Sequence, residues 1–164
     1  GELIADALEQ GCRNIIIGLG GSSTNDGGCG MAAALGAKFY GEDGEAFLPV
    51  GGTLKNIKRI DISGLDRRLK QTCITAMCDI DNPLYGANGA AFISGPQKGA
   101  DPAMVNRLDA GLRCLSRQIL TDLGTDVSEL PGAGAAGGMG GGRQPFCMPR
   151  LCPGYRGGAG NREI

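Results

Sequence analysis

The feature that most constrains this chain is a glycine-rich stretch at residues 18–30, Gly-Leu-Gly-Gly-Ser-Ser-Thr-Asn-Asp-Gly-Gly-Cys-Gly, here called the first glycine loop. The apolar run Ile15-Ile16-Ile17 precedes it, and the helix-forming residues 31–35 follow it. Glycines let the backbone bend tightly and approach a ligand closely, while a helix start offers unpaired N–H groups. A buried strand, a glycine-rich turn and a helix therefore predict a site for a phosphate or a small carboxylate.

The candidate ligands for this anion are the polar and glycine residues in the middle of the loop. They are Gly20, Gly21, Ser22, Ser23, Thr24, Asn25 and Asp26. The loop is not a Walker A sequence, because Gly-Lys-Ser/Thr is missing, and it fits a dinucleotide-binding fingerprint only loosely. The alternative interpretation is a plain strand-to-helix turn in which Asn25 or Asp26 caps the helix.

Composition excludes several other classes of protein. The length of 164 residues suits one domain, and the 31 glycines show no collagen period, which favours a loop-rich α/β protein. A net charge of −1 and few aromatic residues argue against nucleic-acid binding. No apolar run is long enough to span a membrane, so no membrane-spanning segment is expected.

The cysteine and histidine content narrows the chemistry further. The chain has no histidine, which disfavours common zinc sites and the usual hydrolase triads. Its seven cysteines form no Cys-x-x-Cys pair, so reduced thiols in a cytoplasmic protein are expected. Five of them lie in or beside apolar stretches and are predicted to be buried and inert: Cys12, Cys29, Cys73, Cys78 and Cys114.

The hydrophobic pattern predicts an α/β fold with three layers and a partly parallel sheet. Three consecutive isoleucines at residues 15–17 indicate a strand buried on both faces. Predicted helices span residues 2–10, 26–35 and 101–123, and predicted strands span 14–18, 37–40, 59–62 and 72–78, with an irregular stretch at 47–57. The last helix carries a predicted buried stripe of Met104, Leu108, Leu112, Leu115, Ile119 and Leu123.

Two more polar constellations follow apolar runs. Asp79, Asp81 and Asn82 come after the last predicted strand, where they could hold Mg²⁺ or position a hydroxyl group, or form only a turn before Pro83. Gln97 and Lys98 lie on a short loop between glycines, where the lysine could clamp an anion. The alternative for Lys98 is an exposed lysine in a turn.

The C-terminal part changes in composition. Residues 131–142 are almost free of side chains and form either a flexible linker or a turn packed tightly against a ligand or strand. Residues 143–164 contain four arginines and one glutamate without apolar periodicity, so we interpret them as a disordered tail foreign to the fold. A shifted reading frame is our hypothesis for its origin. Sequencing the gene tests this, because one intact frame shared by relatives would contradict it.

Four motifs in this order resemble those of the bacterial glycerate kinases. They are residues 18–28, then Cys-Asp-Ile-Asp-Asn-Pro-Leu-Tyr-Gly at 78–86, Gly-Pro-Gln-Lys-Gly-Ala at 95–100 and Pro-Gly-Ala-Gly-Ala-Ala-Gly-Gly at 131–138. The resemblance runs from Gly1 to about Gly142, and a linking piece at 59–66 shares it. It implies a two-domain α/β fold, of which this chain is an interior segment. It also implies ATP-dependent phosphorylation of D-glycerate.

The resemblance gives the candidate residues roles in phosphoryl transfer, with ATP and Mg²⁺ required. The first glycine loop would bind a phosphate or the glycerate carboxylate, and Lys98 would offset negative charge. Asp79 and Asp81 would orient the glycerate hydroxyl or the metal. Two alternatives stay open: a non-catalytic anion- or nucleotide-binding module, and an inactive product of a truncated gene.

Overall fold

The computed structural model describes residues 1–147 as a mixture of helices and short strands. The helices are α1 (Glu2–Glu9), α2 (Cys29–Ala34), α3 (Ala90–Ser94), α4 (Pro102–Leu123) and α5 (Ala135–Cys147). The strands are β1 (Asn14–Gly18), β2 (Lys38–Tyr40), β3 (Ala46–Phe47), β4 (Arg59–Asp61) and β5 (Cys73–Met77). Three short 3₁₀ helices span Gly51–Asn56, Arg67–Gln71 and Pro96–Lys98.

Strands β1 and β5 form a parallel pair that fixes the position of two loops. In their register Gly18 lies opposite Met77, and the Leu19 N–H donates to the Met77 carbonyl over 2.9 Å. The first glycine loop and the aspartate-bearing loop after β5 therefore start at the same edge of the sheet. The predicted α/β class with a parallel sheet is confirmed.

A second sheet is antiparallel, with the strand order β3-β2-β4. A hairpin connects β2 and β3, and the short strand β3 was not predicted. Two residues are too few to show an alternating pattern, so only pairing with β2 defines this strand.

Helix α4 is the long element on which the core is built. The Asp101 carboxylate accepts a hydrogen bond of 2.7 Å from the Met104 N–H at its start, and Gly124 ends it in a left-handed conformation. The middle of the predicted stripe is fully buried, for example at Leu112. Met104 does not belong to the stripe. It is 45% exposed, because it lies in the first turn, before the helix reaches the core.

The prediction that β1 is buried on both faces is wrong. Ile16 is 68% exposed, whereas Ile15 and Ile17 on the opposite face are half-buried. Described residues cover only the face of the parallel pair that also carries the buried side chains of Ile74 and Ala76.

The cysteine predictions hold only in part. Cys29 is buried, and burial raises the pKa of its thiol, with the neighbouring Asp26 carboxylate raising it further. Cys12 is exposed, because it follows Gly11 in the turn between α1 and β1. Cys78 and Cys114 are half-buried free thiols. Cys73 is disulfide-bonded, so the expectation of reduced thiols is wrong for this residue.

Helix α2 starts three residues later than predicted. Gly27 and Gly28 have φ values of +64° and +81°, which are incompatible with a continuous right-handed helix from Asp26. The Asp26 carboxylate instead accepts hydrogen bonds of 3.1 and 2.9 Å from the N–H groups of Gly28 and Gly30. Asp26 therefore stabilises the turn that enters α2.

The glycine-rich segment 131–142 is a tight turn leading into a helix. Residues Ala136, Gly137 and Gly138 all have positive φ, and they kink α5 near its start. The helix continues to Cys147, and Phe146 is buried against Phe39 with ring centroids 5.9 Å apart. Residues 143–147 thus belong to the last helix, and the remainder of the predicted disordered tail lies outside the described residues.

The described helices include none that is long and apolar enough to cross a membrane.

Replacing Gly137 with alanine is expected to destabilise the fold by roughly 2–4 kcal/mol, combining left-handed strain with a steric clash. Gly137 has φ +72°, and an added Cβ would overlap the Thr24 carbonyl oxygen. Gly124→Ala is the matched control, because Gly124 has φ +68° but open space around it. It should cost only about 1 kcal/mol. Urea denaturation measures both, and equal losses would contradict the tight contact.

Candidate anion-binding site

Lys98 joins two of the loops that the sequence identifies. Its Nζ donates a hydrogen bond of 2.8 Å to Ser22 Oγ and one of 2.7 Å to the Thr24 carbonyl oxygen. These residues are more than 70 positions apart in the chain. The simple alternative of an exposed lysine in a turn therefore does not describe Lys98, whose ammonium group lies on the first glycine loop.

A short, stiff turn places this ammonium group. Pro96 begins the 3₁₀ helix that carries Lys98, and Gly99 ends it with φ +90°. Gly95 is buried so closely against the Ala91 carbonyl oxygen that a side chain would not fit there. The backbone on both sides of Lys98 is thus held in place, which fixes the point from which its side chain reaches the first glycine loop.

The surroundings of Lys98 shape its charge. Partial burial lowers the pKa of Lys98, while the nearby Asp26 carboxylate opposes this shift. A partly desolvated ammonium interacts more strongly with an anion than a fully hydrated one does. The group is therefore suited to offset the charge of a phosphate or carboxylate.

The first half of the glycine loop is open to solvent. A Cβ built on Gly18, Gly20 or Gly21 meets no other atom within 4 Å. Ser23 and Thr24 are exposed as well. The peptide groups here are consequently accessible to a ligand, as the predicted role requires.

Asn25 is the buried polar residue of this loop. It is 8% exposed, and neither Nδ2 nor Oδ1 has a hydrogen-bond partner among the described residues. An unpaired buried polar group costs roughly 1–3 kcal/mol. Buried polar groups without partners are uncommon and are often found at binding sites, which agrees with the predicted place of Asn25 in the anion site.

The second half of the loop rests on the turn of α5. The Gly27 N–H donates to the Gly137 carbonyl oxygen over 3.0 Å. Side chains would not fit at several facing positions, including Gly138 and Gly142, where a Cβ would come too close to Gly27. Of the two interpretations of residues 131–142, the structure supports the tight turn, which packs here against the first glycine loop.

The other candidates form no hydrogen bond with this cluster in the part of the chain that the structure describes. Asp79 and Asp81 are exposed after β5, and no hydrogen bond within residues 1–147 joins them to the first glycine loop. The Asn82 side chain donates to the Asn88 carbonyl oxygen over 2.9 Å, which gives it a structural role. Gln97 is exposed. Their predicted roles at a magnesium or substrate site stay predictions. Within the described range no three His, Cys, Asp or Glu side chains form a group that could hold a metal ion.

A cavity of about 470 Å³ opens elsewhere, beside the β2–β3 hairpin. Its walls are formed by charged and polar residues that include Glu42, Asp43, Lys55 and Lys58. Glu42 and Lys58 form a long, exposed ion pair of 4.0 Å across it. None of the predicted site residues lines this cavity. The glycine loops, where a cation, accessible backbone and a buried amide occur together, stay the predicted site.

Sequence reasoning missed one buried acid. Asp109 on α4 is 6% exposed and bonds to the loop that follows β5. An acidic residue within the apolar stripe, four residues after Val105 and three before Leu112, was the available signal.

The fold and this cluster define an α/β protein in which a lysine contacts a glycine-rich loop at the edge of a parallel sheet. The sequence model of the glycerate kinase family matches residues 1–157. The chain belongs to the glycerate kinase family. This range extends past Gly142, where the sequence motifs place the end of the resemblance. That end point stays a prediction.

Individual relatives agree. The chain is 54% identical over 140 residues to a glycerate kinase of Bacillus cereus, covering 85% of this chain and 37% of the relative. It is 53% identical over 151 residues to the Escherichia coli glycerate 2-kinase, covering 92% and 40%. The crystal structure of a Salmonella typhimurium LT2 protein assigned as glycerate kinase 2 superposes with a TM-score of 0.86 at 50% identity, covering 89% of this chain and 39% of that one. The chain thus spans about two fifths of these relatives.

The pKa of Lys98 is expected to lie below its ordinary value of 10.5. Between the lowered pKa and 10.5 the unfolded chain binds more protons than the folded one, so this residue's contribution to stability rises with pH in that window. A ¹³Cε NMR titration measures the pKa. Denaturation of the unmutated chain and Lys98→Met, which lacks the titration, measures the stability difference. A normal or raised pKa, or a difference that falls with pH, would contradict the described burial.

Proposed function

We propose that this chain binds D-glycerate and ATP and contributes part of the site that transfers a phosphoryl group from ATP to a glycerate hydroxyl. The observation that carries the proposal is the Lys98 ammonium group held against Ser22 and Thr24 of the first glycine loop. Family membership supports the choice of substrate, because the Bacillus cereus and Escherichia coli relatives are named as glycerate kinases. The chain spans about two fifths of their length, so the whole reaction is proposed, with residues outside this chain taking part.

The reaction needs positioning and charge neutralisation more than covalent chemistry by the protein. The hydroxyl oxygen of glycerate forms a bond to the γ-phosphorus, while the bond from that phosphorus to the β,γ-bridging oxygen breaks. ADP leaves with the bridging oxygen, and the hydroxyl proton passes to a carboxylate. Negative charge on the phosphoryl oxygens must be stabilised throughout.

The cluster and the loop after β5 supply groups for these tasks. The exposed backbone at Gly20 and Gly21, with the hydroxyl of Ser22, binds an anionic group of the substrate. Lys98 neutralises charge next to it. Either Asp79 or Asp81 orients the glycerate hydroxyl and accepts its proton.

Asp79 and Asp81 also provide a donor set that fits Mg²⁺. Both carboxylates are exposed, and they lie two positions apart in the sequence. Mg²⁺ commonly binds one or two carboxylates together with substrate phosphates. When bound, the ion neutralises charge on the phosphates. The chain's own residues would hold glycerate beside it, with Lys98 and one carboxylate in the roles given above.

The 2-hydroxyl of glycerate is the favoured acceptor. The Escherichia coli relative that is 53% identical to this chain is named a glycerate 2-kinase. The two candidate products, 2-phosphoglycerate and 3-phosphoglycerate, have different ³¹P NMR signals, so product analysis decides between them.

Binding without turnover is the second candidate function. Ile16 on the outer face of the parallel pair is 68% exposed, although parallel strands are normally covered on both faces. This exposure favours the second candidate, because an uncovered sheet face indicates that the described residues form only part of a larger fold. A chain that binds D-glycerate but transfers no phosphoryl group would match this candidate and contradict catalysis by the chain itself.

Lys98→Ala is expected to lower glycerate-dependent ATP turnover by about 100-fold, as removal of one charge-stabilising donor commonly does. Lys70→Ala is the matched control, because Lys70 is exposed and lies just before β5, at the opposite end of that strand from the loops. A coupled ADP assay and calorimetric titration with D-glycerate provide the measurements. Equal effects of the two variants would remove Lys98 from the site, and absence of both binding and turnover in the unmutated chain would contradict the proposed function.

A further inference from the structure

Asp109 is the one acidic side chain more than nine-tenths buried among residues 1–147. Its Oδ1 accepts a hydrogen bond of 2.6 Å from the Gly86 N–H, and its Oδ2 accepts one of 2.8 Å from Arg113 Nε. Burying a carboxylate is unfavourable unless its oxygens are paired with good geometry. Here both oxygens have a donor, and one donor is a backbone group of another segment.

Arg113 also contacts Tyr85, the residue that precedes Gly86 in that segment. Its guanidinium lies over the ring of Tyr85, 4.6 Å from the centroid, where cation–π attraction adds to the ion pair with Asp109. Asp109 and Arg113 are four residues apart and therefore lie on one face of α4. Together they hold the backbone of Gly86 and the side chain of Tyr85.

The segment held in this way is the loop that follows β5, residues 79–86. Leu84 in this loop is buried, and its N–H donates to the Ser128 carbonyl oxygen over 3.2 Å. Strand β5 fixes the beginning of the loop, and Asp109 fixes its end. Asp79 and Asp81 lie between these two anchors.

We propose that Asp109 is a positioning residue, which fixes the loop 79–86 on α4 and thereby sets where Asp81 is presented to the substrate. This inference rests on the proposed function, in which Asp79 or Asp81 orients the glycerate hydroxyl. Asp109 contacts no substrate itself. It acts through the Gly86 peptide, and α4 is a suitable base because it is a 22-residue helix packed into the core.

The chain offers a close control for this role. Asp122 is also on α4, and its Oδ2 accepts a hydrogen bond of 2.7 Å from a backbone N–H of another element, that of Ile60 in β4. Asp122→Ala therefore removes the same kind of bond without touching the loop 79–86. Asp109→Asn keeps an oxygen that can accept from Gly86 and serves as the conservative variant.

Amide hydrogen exchange of the full chain tests the role directly. Asp109→Ala should raise exchange at Gly86 and Leu84, the loop amides whose hydrogen bonds the structure describes, at least tenfold more than in β1. Asp122→Ala should leave these amides unchanged, and Asp109→Asn should restore most of the protection. The proposal would be overturned if Asp109→Ala and Asp122→Ala raised amide exchange in the loop equally, or if exchange at Gly86 were unchanged in Asp109→Ala.

Kinetics provides the second readout. Asp109→Ala should lower kcat at least tenfold with less than a threefold change in the KM for ATP, while Asp109→Asn recovers most of kcat and Asp122→Ala stays near the unmutated value. An unchanged kcat in Asp109→Ala overturns the proposal. If the unmutated chain shows no turnover, the exchange pattern alone decides whether Asp109 holds the loop. If the unmutated chain also fails to bind D-glycerate, the proposed function fails on its own.

Discussion

Close backbone contact between the first glycine loop and the turn of α5 is the constraint on which this structure depends. The Gly27 N–H bonds to the Gly137 carbonyl oxygen, and no side chain would fit at Gly137 beside the Thr24 carbonyl. Because the second half of the loop is fixed in this way, its first half can stay open without losing its orientation. The same contact explains why glycines are concentrated in two distant parts of the chain.

Lys98 acts within that framework. A turn held between Gly95 and Gly99 delivers its ammonium group to the open half of the loop, where it bonds to Ser22 and to the Thr24 carbonyl. Exposed peptide groups, a partly desolvated cation and the buried amide of Asn25 thus occur in one place. This combination suits an anionic substrate, in agreement with membership of the glycerate kinase family.

Much of this arrangement could be predicted from the sequence, because the signals are local. The apolar runs that form β1 and β5, and the capped, periodic helix α4, were recognisable without knowledge of their neighbours. The exposure of Ile16 was not predictable in the same way, because it depends on which elements cover the strand. Helix α5 forms despite the low helix propensity of glycine, because its backbone packs so closely against its neighbours that side chains would not fit. The role of Asp109 depends on Gly86, a partner 23 residues away, which no local pattern reveals.

The central claim is that the first glycine loop and Lys98 form one anion site, and a structure of this chain with bound D-glycerate tests it most directly. We predict that the carboxylate or phosphate-accepting end of the ligand lies against Lys98 Nζ and the peptide groups of residues 20–22. A ligand in the cavity beside the β2–β3 hairpin, or one that leaves Lys98 bonded only to Ser22 and Thr24, would contradict the claim.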